Sequence, residues 1–79
     1  MKYNLTNTWQ EITLESGDVT AVQNKCGNDI RIYIGNTIPT DDTARLGFIL
    51  KMTDVLRYVH DGRLMYGIAQ YGDAVVETL

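Results

Sequence analysis

The sequence predicts an all-β protein, a small antiparallel β-sandwich of about seven short strands. Three observations point there. Apolar residues alternate with polar ones in short runs and do not recur at helical spacing. Clusters of glycine, asparagine and aspartate separate these runs at about every 8–12 residues, the rhythm of sandwiches and barrels. The 79 residues suffice for one domain and not two.

The elements follow in order. Met1–Asn7, rich in asparagine and threonine, precedes the first apolar run. It is expected either as a flexible N-terminal arm that orders on a neighbouring subunit or as a frayed terminus, outside a single domain over 8–79. Thr8–Leu14 reads as a strand. Trp9 and Ile12 are an odd number of residues apart, which suggests a bulge or a twist. Thr20–Asn24 is the next strand. Ile30, Ile32 and Ile34 then alternate with Arg31 and Tyr33, the pattern of a half-buried strand. Leu46–Lys51 would put Leu46, Phe48 and Leu50 on one face, and Val55–Val59 follows. In Leu64–Gln70, Leu64, Tyr66 and Ile68 alternate against Met65, Gly67 and Ala69. A mid-strand glycine such as Gly67 marks a bulge or the close approach of another backbone. Ala74–Leu79 closes the chain.

Turn chemistry joins the runs. Ser16-Gly17-Asp18, Gly27-Asn28-Asp29, Gly35-Asn36, His60-Asp61-Gly62 and Tyr71-Gly72-Asp73 each supply a residue that tolerates positive φ. Asp61-Gly62 is the strongest hairpin signal and is expected to pair the segments around Tyr58 and Leu64. Thr37–Arg45, with Pro39 and the adjacent Asp41 and Asp42, reads as the long sandwich connection. Pro39 or Thr40 can start a helical turn over 41–46 within it.

Composition narrows the function. A single cysteine, Cys26, leaves no internal disulfide framework and too few thiolates for a Cys-rich zinc site. It fits synthesis where thiols stay reduced. No window approaches the roughly 18 apolar residues of a membrane-spanning helix, and Met1–Asn7 has no apolar region of the kind a signal peptide needs. Net charge is −3, and the seven basic residues are scattered singly, which disfavours nucleic-acid binding. Apolar burial contributes on the order of 120 kcal/mol, and ordering the chain costs about the same. A lone copy is therefore marginal, and packing against further copies or a partner would help.

The chemistry-bearing residues do not converge. His60, the only histidine, is expected in a surface turn; a nucleophile such as Cys26 or Ser16 with Asp61 would make a catalytic set, but adjacent turn residues diverge. Cys26 is expected to fill a strand end as a small hydrophobe. Asp41 and Asp42 with Asp29 or Asp54 are the candidate for an oxygen-rich cation site, yet they lack the spaced calcium-loop pattern. Phosphate-cradling and nucleophile-elbow glycine motifs do not occur. No catalytic, cofactor or metal residue is expected, and the chain is expected not to be an enzyme. The tyrosines carry more information. Tyr33 falls on the strand face opposite the isoleucines, and Tyr58, Tyr66 and Tyr71 come from neighbouring segments. Tyrosines outside a core are enriched at protein interfaces, while ordinary cross-strand packing is the alternative.

The order of Trp9–Leu14, Thr20–Lys25 with its Ala21-Val22-Gln23-Asn24, Ile30–Ile34, the Pro39 loop, Gly47–Leu50, Met65–Ala69 and the closing Ala74–Leu79 resembles small β-sandwich structural proteins of tailed bacteriophages. The resemblance spans about residues 8–79 and departs at 54–61, which is more charged than that pattern. It implies a non-enzymatic virion component, made in the bacterial host cytoplasm: a capsid decoration or cement protein, a head fibre, or a tail-fibre adaptor. Such subunits act as homo-oligomers, with a trimer favoured, docked on major capsid or tail proteins and on neither nucleic acid nor membrane. It further implies that the Gln23 and Asn24 amides pair with a neighbouring backbone; in a lone domain they would cap the turn at Gly27. The expected oligomer interface is Gln23, Asn24, Tyr33, Tyr58 and Tyr66. The competing expectation is a small module that binds a carbohydrate or a host protein through its tyrosine-bearing face.

Overall fold

The computed structural model describes residues 1–40, 47–69 and 74–79. The protein is all-β, with two four-stranded antiparallel sheets packed as a sandwich. Among the described residues there are eight strands: β1 (Lys2–Leu5), β2 (Gln10–Ile12), β3 (Val19–Asn24), β4 (Ile30–Gly35), β5 (Phe48–Leu50), β6 (Val55–Val59), β7 (Leu64–Ala69) and β8 (Ala74–Thr78). One sheet runs β1-β8-β3-β6 and the other β2-β7-β4-β5. The expected helical turn over 41–46 and the residues Gln70–Asp73, Tyr71 included, lie outside the described residues.

Strict alternation places the core. Thr20, Val22 and Asn24 of β3, Ala74, Val76 and Thr78 of β8, and Ile30 and Ile32 of β4 are buried, while their neighbours are only partly covered. β7 breaks this rule because both of its faces are covered. Met65, Gly67 and Ala69 lie opposite Ile34, Ile32 and Ile30 on the core side. Tyr66 and Ile68 join Trp9 in a second buried cluster on the other face, with Tyr33 packed against it. This second layer removes the reason to expect a bulge in β2. In an extended chain, Trp9 and Ile12 point to opposite faces, and both faces of this sheet carry apolar clusters.

The segment expected as an arm is part of the sandwich. β1 pairs with β8 from Lys2↔Glu77 to Leu5↔Ala74, and the Leu5 side chain is fully buried in the main core. Gly67 makes room for it. A Cβ at Gly67 would stand 2.9 Å from Leu5 Cδ1 and 3.0 Å from Ile12 Cδ1. The close approach at this mid-strand glycine is by side chains and not by the neighbouring backbone expected there. The Ala69 N–H donates to the Thr6 carbonyl at 2.8 Å, so the chain turns from one sheet edge to the other at this side.

The Asp61-Gly62 turn does not make a hairpin. β6 pairs with β3, and β7 pairs with β2 and β4, so the turn carries the chain across from one sheet to the other. Tyr58, inward-facing and buried, fixes the crossing. Its hydroxyl lies 2.5 Å from Asp61 Oδ1 and 3.2 Å from the Arg63 carbonyl, and it accepts from the Asp61 N–H at 3.2 Å. Gly62 supplies the left-handed residue, at φ +97°. The turn itself is as expected, and its strand partners differ. Among the described strands, β4 and β5 alone are neighbours both in the chain and in a sheet.

Candidate assembly surface

The five residues expected at an oligomer interface separate in the structure. Tyr58 belongs to the main core and Tyr66 to the second cluster, each about 5% exposed, so neither ring has surface to offer a neighbour. Asn24 is fully buried. Its Nδ2 donates to the carbonyls of Asn28 (2.8 Å) and Leu50 (2.9 Å), and its Oδ1 accepts from the Cys26 N–H at 3.0 Å. Asn24 thus ties the β3–β4 turn to the end of β5, which extends the turn-capping role expected of it in a lone domain. Gln23 and Tyr33 are half-buried. The Gln23 Nε2 donates to the Thr53 carbonyl at 3.1 Å. The Tyr33 ring meets Trp9 edge-on at 6.3 Å and lies over Gly35, where a Cβ would stand 2.5 Å from the ring.

The corner held by Asn24 presents a different surface. The Asn24 N–H donates to the Asp54 carbonyl and the Thr53 N–H to the Asn24 carbonyl, at 3.1 and 3.0 Å. This anchors residues 51–54, which carry the chain from edge strand β5 to edge strand β6. Around that corner Phe48, Ile49, Met52, Val55 and Val59 are 46–67% exposed. Phe48 is the most telling. It lies opposite Ile32, a fully buried core residue, and so occupies a core-facing position while remaining 57% exposed. The sandwich is open along this flank. Ile49 points outward from one sheet and Val55 and Val59 from the other, so the exposed apolar residues wrap around the flank. Lys51, Asp54 and Arg57, all exposed, give it a rim of both signs.

Thr53 at the centre of the corner has φ +68°, a left-handed conformation that costs a β-branched residue roughly 1–2 kcal/mol. A Thr53→Gly variant should relieve this and give back about 0.5–1 kcal/mol in chain entropy. Its urea midpoint is expected to rise slightly or hold level. A clear fall would mean that the threonine side chain stabilises the corner.

The sequence offered a signal for this flank that alternation arguments pass over. Phe48-Ile49-Leu50 and Val55-Leu56 are consecutive apolar residues, and in a strand these place an apolar side chain on each face. β5 and β6 are sheet edges, so no further strand among the described residues covers the surplus.

The other candidates lie apart from this surface. His60 is half-buried rather than free in a surface turn: its Nε2 is 2.7 Å from Thr20 Oγ1, and its ring lies 5.6 Å from that of Tyr58. Thr20 also accepts from the Glu15 N–H at 2.9 Å and is fully buried, so a reactant has no approach to this hydroxyl. The Glu15 carboxylate accepts from the Thr78 hydroxyl. Cys26 packs against the core, its thiol 3.3 Å from Asn24 Oδ1. Asp61 and Arg63 form a two-pronged ion pair with a shortest contact of 2.6 Å. The Arg63 guanidinium, followed by the Tyr58 hydroxyl, holds the Asp61 carboxyl well below the usual carboxylate range. Asp41 and Asp42 lie outside the described residues, and no metal-holding cluster occurs among the described ones.

No protein-family model, curated protein or solved structure matches the chain.

Proposed function

We propose that this chain is a non-enzymatic structural protein of a bacteriophage particle, a repeated subunit that works as a homo-oligomer. In the favoured form it decorates or cements the capsid. A tail-fibre or adaptor position uses the same chemistry. The observation that carries the reading is the open β5/β6 flank, where two sheet edges and a core-facing phenylalanine stand exposed together. Repeated subunits around a symmetry axis bury such edges and faces. The assignment to a phage particle is supported by the order of strands and turns, with Ala21–Asn24 leading into the turn before β4.

The test is mass spectrometry of gradient-purified particles produced by a host that expresses this gene alongside the phage genome encoding it. The chain should be recovered at a copy number comparable with a capsid or tail component. Its absence from particles that are otherwise complete would overturn the proposal.

One observation favours a second reading, a carbohydrate- or host-protein-binding module. The buried Trp9 indole N–H and Arg31 Nε find no hydrogen-bond partner among the described residues. Both sit on the tyrosine-bearing face beside Tyr33. A ligand with acceptor oxygens would satisfy them, and quenching or shifting of Trp9 fluorescence across a glycan panel would detect it.

A further inference from the structure

We propose that two copies of this chain associate through the β5/β6 flank, with β5 of one copy antiparallel to β5 of the other across a twofold axis. The inference rests on the structural-subunit reading and specifies its contact.

Three features support a second copy as the occupant. Among the described residues, β5 is hydrogen-bonded on one side only, to β4. An edge strand laid antiparallel on its own copy satisfies the open side of both at once, and a twofold contact is by nature self-complementary. Phe48 is the second feature. Because it faces the core side at an open edge, the matching edge of another sandwich would continue that core across the axis, and Ile49 would meet its mate on the opposite face of the joined sheet.

The third feature is the rim. Lys51 and Arg57 carry one sign and Asp54 the other, and the Asp54 carboxylate accepts only from the nearby Lys51 N–H among the described contacts. A twofold copy brings the acid of one subunit towards the cations of the other, a pairing that fixes register more than it adds affinity. The opposite flank does not compete. β1 and β2 present Lys2, Asn4 and Glu11 as their exposed residues, which would leave charges buried against Phe48.

The experiment is light scattering on the full chain over a concentration series, with the variants Phe48→Glu, Ile49→Lys and, on the opposite flank, Glu11→Lys. Circular dichroism verifies that each is folded. The unsubstituted chain should run at twice its 8.9 kDa mass. Phe48→Glu and Ile49→Lys should each raise the dissociation constant at least about tenfold, since a charge then enters the centre of the contact, and Glu11→Lys should not. Ile49 points away from the core, so its variant tests the contact even if Phe48→Glu fails to fold. A monomer at all concentrations, a trimer, or a dimer indifferent to both flank variants would overturn the proposal. Those outcomes leave the particle reading standing if the chain is still found in purified particles, whereas its absence there sinks that reading whatever the solution mass.

Discussion

A Leu5→Ala variant should lose about 3 kcal/mol of stability, with the urea midpoint falling and the slope unchanged. Leu5 is fully buried, and it reaches across the sandwich from β1 to the floor that Gly67 leaves open on β7. Truncating it removes apolar contacts and leaves a void between the sheets, and neither Gly67 nor the clamped β1–β8 ladder can move in to fill it. Buried leucine-to-alanine changes cost roughly 2–5 kcal/mol. A domain of this length has about 4–12 kcal/mol in all, so the loss would be a large part of the total. If the cost were below about 1 kcal/mol, the N-terminal strand would be an accessory and not a wall of the core.

The second large effect is expected at Asn24. Asn24→Ala should cost about 3 kcal/mol, because it removes three hydrogen bonds at once, those to the Asn28 and Leu50 carbonyls and that from the Cys26 N–H. Each buried group left without a partner costs roughly 1–3 kcal/mol, and partial access to water at the turn reduces the sum. The damage should be directional. Backbone hydrogen exchange is expected to quicken first at Cys26 and around the 51–54 corner, with β7 little affected. A uniform loss of protection would show that Asn24 contributes only to global stability. A localised loss would show that it holds the β5/β6 flank in shape, and self-association should then weaken with it.

The fold was legible where burial is one-sided. β3, β4 and β8 could be read directly, because a strand with one wet face writes its pleat into the sequence. Reading failed where the deciding contact was distant. Nothing within Asp61-Gly62 tells the chain to change sheets; that is settled by Tyr58 and Met65 having to face one core from opposite sides. The strand Lys2–Leu5 carries a single buried leucine, too little for a periodic signal. Tyr66 is buried because the protein has a second apolar layer outside its main core, and Tyr58 because it turns into that core at the crossing between the sheets. Asn24 was found by residue type and position, but it works inside the chain, at the base of the surface that the consecutive apolar residues of β5 and β6 supply.

The place of β8 also governs when the protein can become itself. It lies between β1 and β3, and it is synthesised after every other strand of the sandwich. Until Ala74–Thr78 emerge, two strands synthesised long before have no partner between them, and Leu5 and Val22 have no wall to close against. Nearly every turn also sends the chain to the other sheet, so no early stretch can build a sheet by itself. Loop closure between distant segments has to come before most of the burial that rewards it. Folding should therefore wait for β8 and then proceed as one slow cooperative event, and until then a nascent copy holds its apolar strands uncovered among the growing copies beside it.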